Sequence, residues 1–360
     1  MSSRLLAKRQ APRRPLQNAR PAGVLLCATL LALFLSGCAT SPALKDSTYR
    51  LPEHVELVNV PFFPQEKYQC GPAALATVLN YSPATPSSAK RSPAGQAGTD
   101  RAWTVSPAAK ARLARGSERD TDITADSLVS QVFIPGRDGS VQPEMLAAAR
   151  RHRRLAFPIR PTFDALLGHV AAGDPVVVMQ NLSLPAFPMW HYAVVIGYDL
   201  AEESLILRSG ETRRQITSFS RFDATWARSQ RWGFVLAKPG RIPEGVTSRR
   251  AVDGVSAFEA LHGTRAALSS WQALTQAQPD NAMAHFALGN ALYEQEKPEK
   301  AVQAFSRAVA ADDTLGVAWL NLGLLHAEQE QTAKARRALE KAAALPGQWQ
   351  PQAHRALDTL

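Results

Sequence analysis

An α+β domain followed by an all-α helical-repeat domain is predicted by three observations. One apolar helical run, Ala73 to Leu79, comes early, and β-type runs at 176–179, 191–198, 205–207 and 232–237 come late. That order suits an α+β fold and not the strand–helix alternation of a doubly wound sheet. A Pro/Gly-rich break at Pro239 to Pro243 then divides the chain. Beyond it Leu288-Gly289 recurs as Leu322-Gly323, Ala301 as Ala335, Phe305 as Leu339 and Ala308 as Ala342, each pair 34 residues apart. That spacing is the period of the tetratricopeptide helix-turn-helix unit.

The elements follow in order. Residues 1–37 read as an export signal: a basic start leads into the apolar run Val24 to Leu35, too short for a comfortable membrane span. Leu35-Ser36-Gly37-Cys38 resembles the bacterial lipobox, which implies lipid on Cys38. With Ala39 next instead of aspartate, the resemblance implies the outer membrane, facing the periplasm. Residues 38–51 form a tether. The α+β domain spans 52–238, starting with an expected strand over Leu57 to Phe63. Gly71-Pro72 opens the early helix, because proline in a first turn gives up no needed N–H. Residues 82–120, rich in Ala, Ser, Pro and Arg without an apolar stripe, are expected to be a flexible insertion. Pro135 to Gly139 marks a turn, 143–152 and 163–172 are expected helices, and Val176 to Met179 is a buried strand. His191 to Tyr198 and Leu205 to Leu207 form a hairpin, and Trp232 to Ala237 a last strand.

A linker at 239–247 leads to repeats over 248–360. Two are clear, at 282–315 and 316–349, and Ala267, Trp271 and Pro279 mark a degenerate earlier copy. Residues from Gln350 onward are expected to cap the stack. Small Gly and Ala positions let helices approach, and Phe or Leu fills the space between them.

The chain of 360 residues carries a formal charge of +10, but residues 1–37 hold six basic residues and no acids, leaving about +4. No aromatic-interleaved basic face is evident, so nucleic acid is not an expected partner. Cofactor and metal sites are not expected either: there is no Gly-rich phosphate loop, three cysteines are too few, and the histidines are scattered.

Cysteine arithmetic isolates one thiol. Cys27 lies in the leader and Cys38 is the lipidation residue, so Cys70 has no disulfide partner in an oxidising compartment. Set at a helix start, its sulfur is expected to be ionised by the macrodipole, as a nucleophile requires. Of eight histidines, only His191 opens an apolar β run downstream of that thiol, on which a ring can be held as base.

The run Gln69-Cys70-Gly71-Pro72-Ala73-Ala74-Leu75, together with His191-Tyr192-Ala193-Val194-Val195-Ile196-Gly197-Tyr198-Asp199, resembles the papain-like peptidases that trim double-glycine leaders from bacteriocins. The resemblance covers about 52–238 and implies a papain-like cysteine peptidase domain with Cys70 as nucleophile and His191 as base. It also implies a glutamine before the cysteine as oxyanion donor, with Gln65 favoured and Gln69 open. The family places Asp or Asn on the strand after the histidine. Here that strand reads Leu205-Ile206-Leu207-Arg208-Ser209-Gly210, so Ser209, Asp199 or a backbone group takes the third role.

The expected function is a lipid-anchored cysteine peptidase acting on a peptide or protein, with the repeats engaging a protein partner. The alternative is a weak or inactive peptidase fold that binds peptides within an envelope assembly. Related acyl transfer on the same dyad is a further possibility.

Overall fold

The structure, a computed structural model, describes residues 51–65, 69–81, 123–137 and 139–360. The export signal, Cys38, all but the last residue of the tether, and the insertion at 82–120 lie outside the described residues. Helix α1 (Cys70–Leu79) begins where Gly71-Pro72 predicts, and it is buried from Gly71 to its end.

The expected strand over 57–63 does not form. Strand β1 is instead His54–Glu56. After Leu57, whose N–H donates to the Ile196 carbonyl at 2.8 Å, the chain leaves the sheet. Pro61 and Pro64 lack the N–H that a ladder needs. The Val60 carbonyl accepts from the Arg208 guanidinium at 2.9 Å instead of from a strand.

Next come α2 (Ala125–Val132), a small hairpin of β2 (Phe133–Ile134) and β3 (Gly139–Ser140) around the expected turn, and α3 (Gln142–Arg151). Strand β4 (Leu155–Pro158), α4 (Phe163–Ala171), β5 (Val176–Asn181), β6 (Trp190–Asp199) and β7 (Ser204–Ser209) follow. Strand β8 (Thr212–Ser218), α5 (Phe219–Ala227) and β9 (Gly233–Ala237) complete this half. Helices α2 and α5 and strands β4 and β8 are not among the elements the sequence predicts. Strand β8 is an exposed edge, so its Thr-Arg-Arg-Gln pattern shows no apolar face. Helix α5 had a legible signal in Phe219, Phe222 and Trp226, which recur at helical spacing and are all buried.

The strands form one antiparallel sheet in the order β4-β9-β5-β6-β7-β8, with β1 paired to the far end of β6. Its two faces have separate cores. Tyr192, Val194 and Ile196 of β6 pack with Leu75, Leu79, Leu128 and Met145 of α1, α2 and α3. Ala193 and Val195 belong to the opposite core, with Phe163, Leu166, Phe222 and Trp226.

That second core does not stop at the linker. It continues through Val255 and Phe258 of α6 (Ser248–His262) and Trp271 of α7 (Thr264–Ala277) into the later repeats. A Cβ at Gly254 would lie 2.4 Å from the Phe157 ring of β4, so only glycine lets α6 settle onto the sheet. The degenerate first helix pair is therefore half repeat and half cover for the α+β domain. Then follow α8 (Ala282–Tyr293), α9 (Pro298–Ala311), α10 (Gly316–Glu328), α11 (Thr332–Ala344) and the closing α12 (Gln350–Asp358). Small-to-large packing operates within each pair: a Cβ at Gly289 would meet the Phe305 ring at 2.5 Å.

Candidate active site

Cys70 is the first residue of α1, with its N-cap Gln69 making no side-chain bond. The thiol is free and half-buried. Burial pushes it above its ordinary value, and backbone N–H groups of Tyr192, Gly71 and Cys70 itself only partly offset this. This corrects the expectation of an ionised sulfur: desolvation of the charged form outweighs the helix-start dipoles.

His191 stands near the start of β6, paired in register with Gln180 of β5. Its Nε2 lies 2.9 Å from the Ser209 hydroxyl, which sits at the end of β7. Burial holds the ring well below the usual imidazole range, to about 4. Thiol and ring are thus both neutral near pH 7. The contact through Nε2 leaves Nδ1 as the ring atom that can accept a proton when Nε2–H donates to Ser209.

Cys70, Gln65 and Ser209 line one small cavity, together with Phe62, Phe63 and Tyr192. Its volume of about 10 Å³ is room for one water-sized group. The backbone N–H of Gln65 donates to the Gly210 carbonyl at 3.2 Å, which fixes this segment beside the end of β7. The structure thus gathers Cys70, Gln65 and Ser209 around one space, and ties His191 to it through Ser209. Gln69 precedes the thiol but does not line that cavity. Asp199 is eight residues along β6, where it accepts from the Glu202 N–H at 2.9 Å and faces His54, so it serves the turn. Among the described residues no group of three or more His, Cys, Asp or Glu side chains is placed to hold a metal.

Two contributors were not foreseen. Tyr192 supplies a backbone N–H toward the sulfur and a ring in the cavity wall. The signal for it was its place directly after His191. Arg208 also lines the space, its guanidinium committed to the Val60 and Arg213 carbonyls. Nothing in its local sequence marks that role.

Comparison with known proteins gives a consistent division. The model of the Peptidase_C39 like family matches residues 57–232, and tetratricopeptide repeat models match 253–315 and 317–347. No curated protein matches the chain. Similar solved structures include that of MamA, at 20% identity over 31% of this chain and 66% of that one, with a TM-score of 0.28. A second MamA structure is spanned over 61% of its length, so the chain covers less than two thirds of either. A chain of the CopN-Scc3 complex matches at 16% identity over 31% and 68%, with a TM-score of 0.28. The second TPR of Spaghetti bound to an HSP90 peptide matches at 17% over 28% and 92%, with a TM-score of 0.26.

Proposed function

We propose that this chain, which joins a Peptidase_C39-like domain to tetratricopeptide repeats, is a cysteine peptidase that works from a neutral thiol–imidazole pair. The observation that carries the reading is the shared cavity of Cys70, Gln65 and Ser209, with Ser209 bonded to His191. As Cys70 Sγ bonds to the scissile carbonyl carbon, His191 Nδ1 takes the thiol proton. The carbonyl oxygen becomes an oxyanion held by the Cys70 N–H and the Gln65 amide. Collapse breaks the C–N bond, the ring returns its proton to the leaving amine, and water then hydrolyses the thioester. Ser209 fixes the ring's tautomer without adding charge.

The test is turnover of a peptide library by the purified chain and by Cys70→Ala. Loss of turnover in the variant supports the mechanism. Activity that survives the change removes the thiol from it. A second reading, a peptide-binding scaffold with little turnover, is favoured by two observations: the thiol lies above its ordinary value, and Ser209 stands where a carboxylate would hold the ring. Absence of turnover with retained peptide binding supports that reading.

We also infer that Cys38 carries lipid and holds the chain at the outer membrane on its periplasmic side, where the repeats engage a protein partner. The Leu35-Ser36-Gly37-Cys38 run supports this. Cys38→Ser is then expected to release the protein from sedimented outer membranes, and an unchanged distribution refutes the anchor.

A further inference from the structure

Beyond the small catalytic cavity lies a larger one of about 390 Å³. Met179, Trp190 and Trp232 give it apolar walls, and Arg228, Arg231 and Arg250 reach its lining. It adjoins the candidate active site directly. Trp190 is the chain neighbour of His191, and Met179 pairs across the ladder with Tyr192. The Trp232 ring meets the Tyr192 ring edge-on with centroids 6.0 Å apart, so one aromatic pair forms the wall between the two spaces.

The charge in this larger cavity is not balanced. Arg231 is paired with Asp223 at 2.8 Å. Arg228 spends Nη1 on the carbonyls of Asn181 and Ser183, and neither it nor Arg250 pairs with a carboxylate among the described residues. Two guanidinium groups therefore line a half-open space with mixed apolar and polar walls, and no carboxylate among the described residues pairs with either. Such a site takes a ligand that brings its own carboxylate beside an apolar group. Arg250 belongs to α6, so the repeat half supplies part of this wall.

The hairpin between β5 and β6 extends the apolar surface outward. From Leu182 to Trp190 it carries no charge, and Leu184, Phe187 and Met189 are 64%, 77% and 61% exposed. Patches of this kind mark binding surfaces. A peptide is favoured over a bilayer as the occupant, because Trp190 joins this surface to a concave cavity lined by Arg228 and Arg250.

We propose that this cavity is a substrate subsite which binds a peptide segment carrying an aromatic or large aliphatic side chain next to a carboxylate. The proposal rests on the peptidase reading for its word substrate, but the binding itself does not require catalysis. Its test therefore uses the full chain as the Cys70→Ala variant, with fluorescein-labelled ten-residue peptides followed by anisotropy. The probes differ at one dipeptide, Phe-Asp, Phe-Asn or Ala-Asp, and each is made with a free and an amidated C-terminus.

The expected result is binding of Phe-Asp about tenfold tighter than Phe-Asn or Ala-Asp, the scale of one charge-assisted hydrogen bond. Arg250→Glu is expected to erase the Asp preference and keep the Phe preference, and Trp190→Ala to do the reverse. If Asp and Asn probes bind alike but amidation weakens them about tenfold, the carboxylate recognised is the chain end, and the subsite stands for that source. Equal affinity for Asp and Asn probes together with no effect of amidation overturns the proposal. So does an Asp preference untouched by Arg250→Glu in a variant whose melting temperature is unchanged. Binding to phosphatidylglycerol vesicles without peptide binding likewise overturns it in favour of a membrane surface. Turnover by the unmodified chain with flat binding preferences would remove the subsite and leave the peptidase reading intact.

Discussion

His191 Nε2 and the Ser209 hydroxyl meet at 2.9 Å, so the third position of the proposed catalytic arrangement is filled by a neutral group. A carboxylate there would stabilise the imidazolium and raise the ring's affinity for a proton. The hydroxyl only orients it, and burial leaves the ring at about 4. Ser209→Asp should therefore raise the pKa of His191 and increase kcat/KM for peptide hydrolysis by at least about tenfold. Ser209→Ala should lower it, because the tautomer is no longer fixed. The pH profile separates charge from geometry: in Ser209→Asp its acid limb should move to higher pH. An unchanged profile and rate would show that the hydrogen bond is incidental.

The neutral pair has its own signature in the thiol. A preformed thiolate–imidazolium pair reacts with alkylating agents at nearly constant rate down to mildly acid pH. Cys70, raised by burial, should instead react with iodoacetamide at a rate that climbs about tenfold per pH unit from 6 to 9. The modification is followed at Cys70 by peptide mass. A low-pH plateau would mean that the ion pair already exists, contrary to the directions of both shifts.

Much of this site could be read in the chain because its signals are local. Cys70 at a helix start, His191 opening a strand and Ser209 at the end of the next are each set by patterns a few residues long. The thiol's protonation was misread for a physical reason. The helix-start dipole belongs to the local sequence, whereas desolvation comes from tertiary packing around the sulfur, with Tyr192 brought in from β6. The strand expected at 57–63 failed similarly, since apolar content outweighed Pro61 and Pro64 in the reading but not in the ladder. The larger cavity is built from α3, β4, β5, β6, the loop between α5 and β9, and α6, and it has no sequence pattern at all.

The continuous core predicts how the molecule unfolds. Phe157 of β4 lies fully buried against Gly254 of α6, so the sheet and the first repeat pair share their packing. Phe157→Ala should cost about 3–5 kcal/mol. Gly254→Val should cost about 1–3 kcal/mol by overpacking. Both should lower a single calorimetric transition that includes sheet and repeats. Two separated transitions, with only one of them shifted, would show that the halves fold independently.

Acid should destabilise the fold through a histidine outside the active site. His169 of α4 is 1% exposed, and neither ring nitrogen has a hydrogen-bond partner among the described residues. Burial, with Arg160 and Arg241 adding repulsion, lowers it to about 4 from 6.5. Above pH 6.5 the ring is neutral in folded and unfolded chains alike, and it makes no difference to stability. As pH falls from 6.5 to about 4, the unfolded chain takes up the proton first, so stability is lost across that window. The loss from this one residue is on the order of 3 kcal/mol at its limit. His191 shifts in the same direction and adds to it. His169→Leu gives up no hydrogen bond and keeps the site apolar. It should leave the urea midpoint at pH 7.5 unchanged or slightly higher, and recover a large part of the drop seen in the unmodified chain at pH 4.5. If the two proteins lose stability equally between those pH values, the ring is already solvated or paired in the folded state, and the acid sensitivity belongs to other groups.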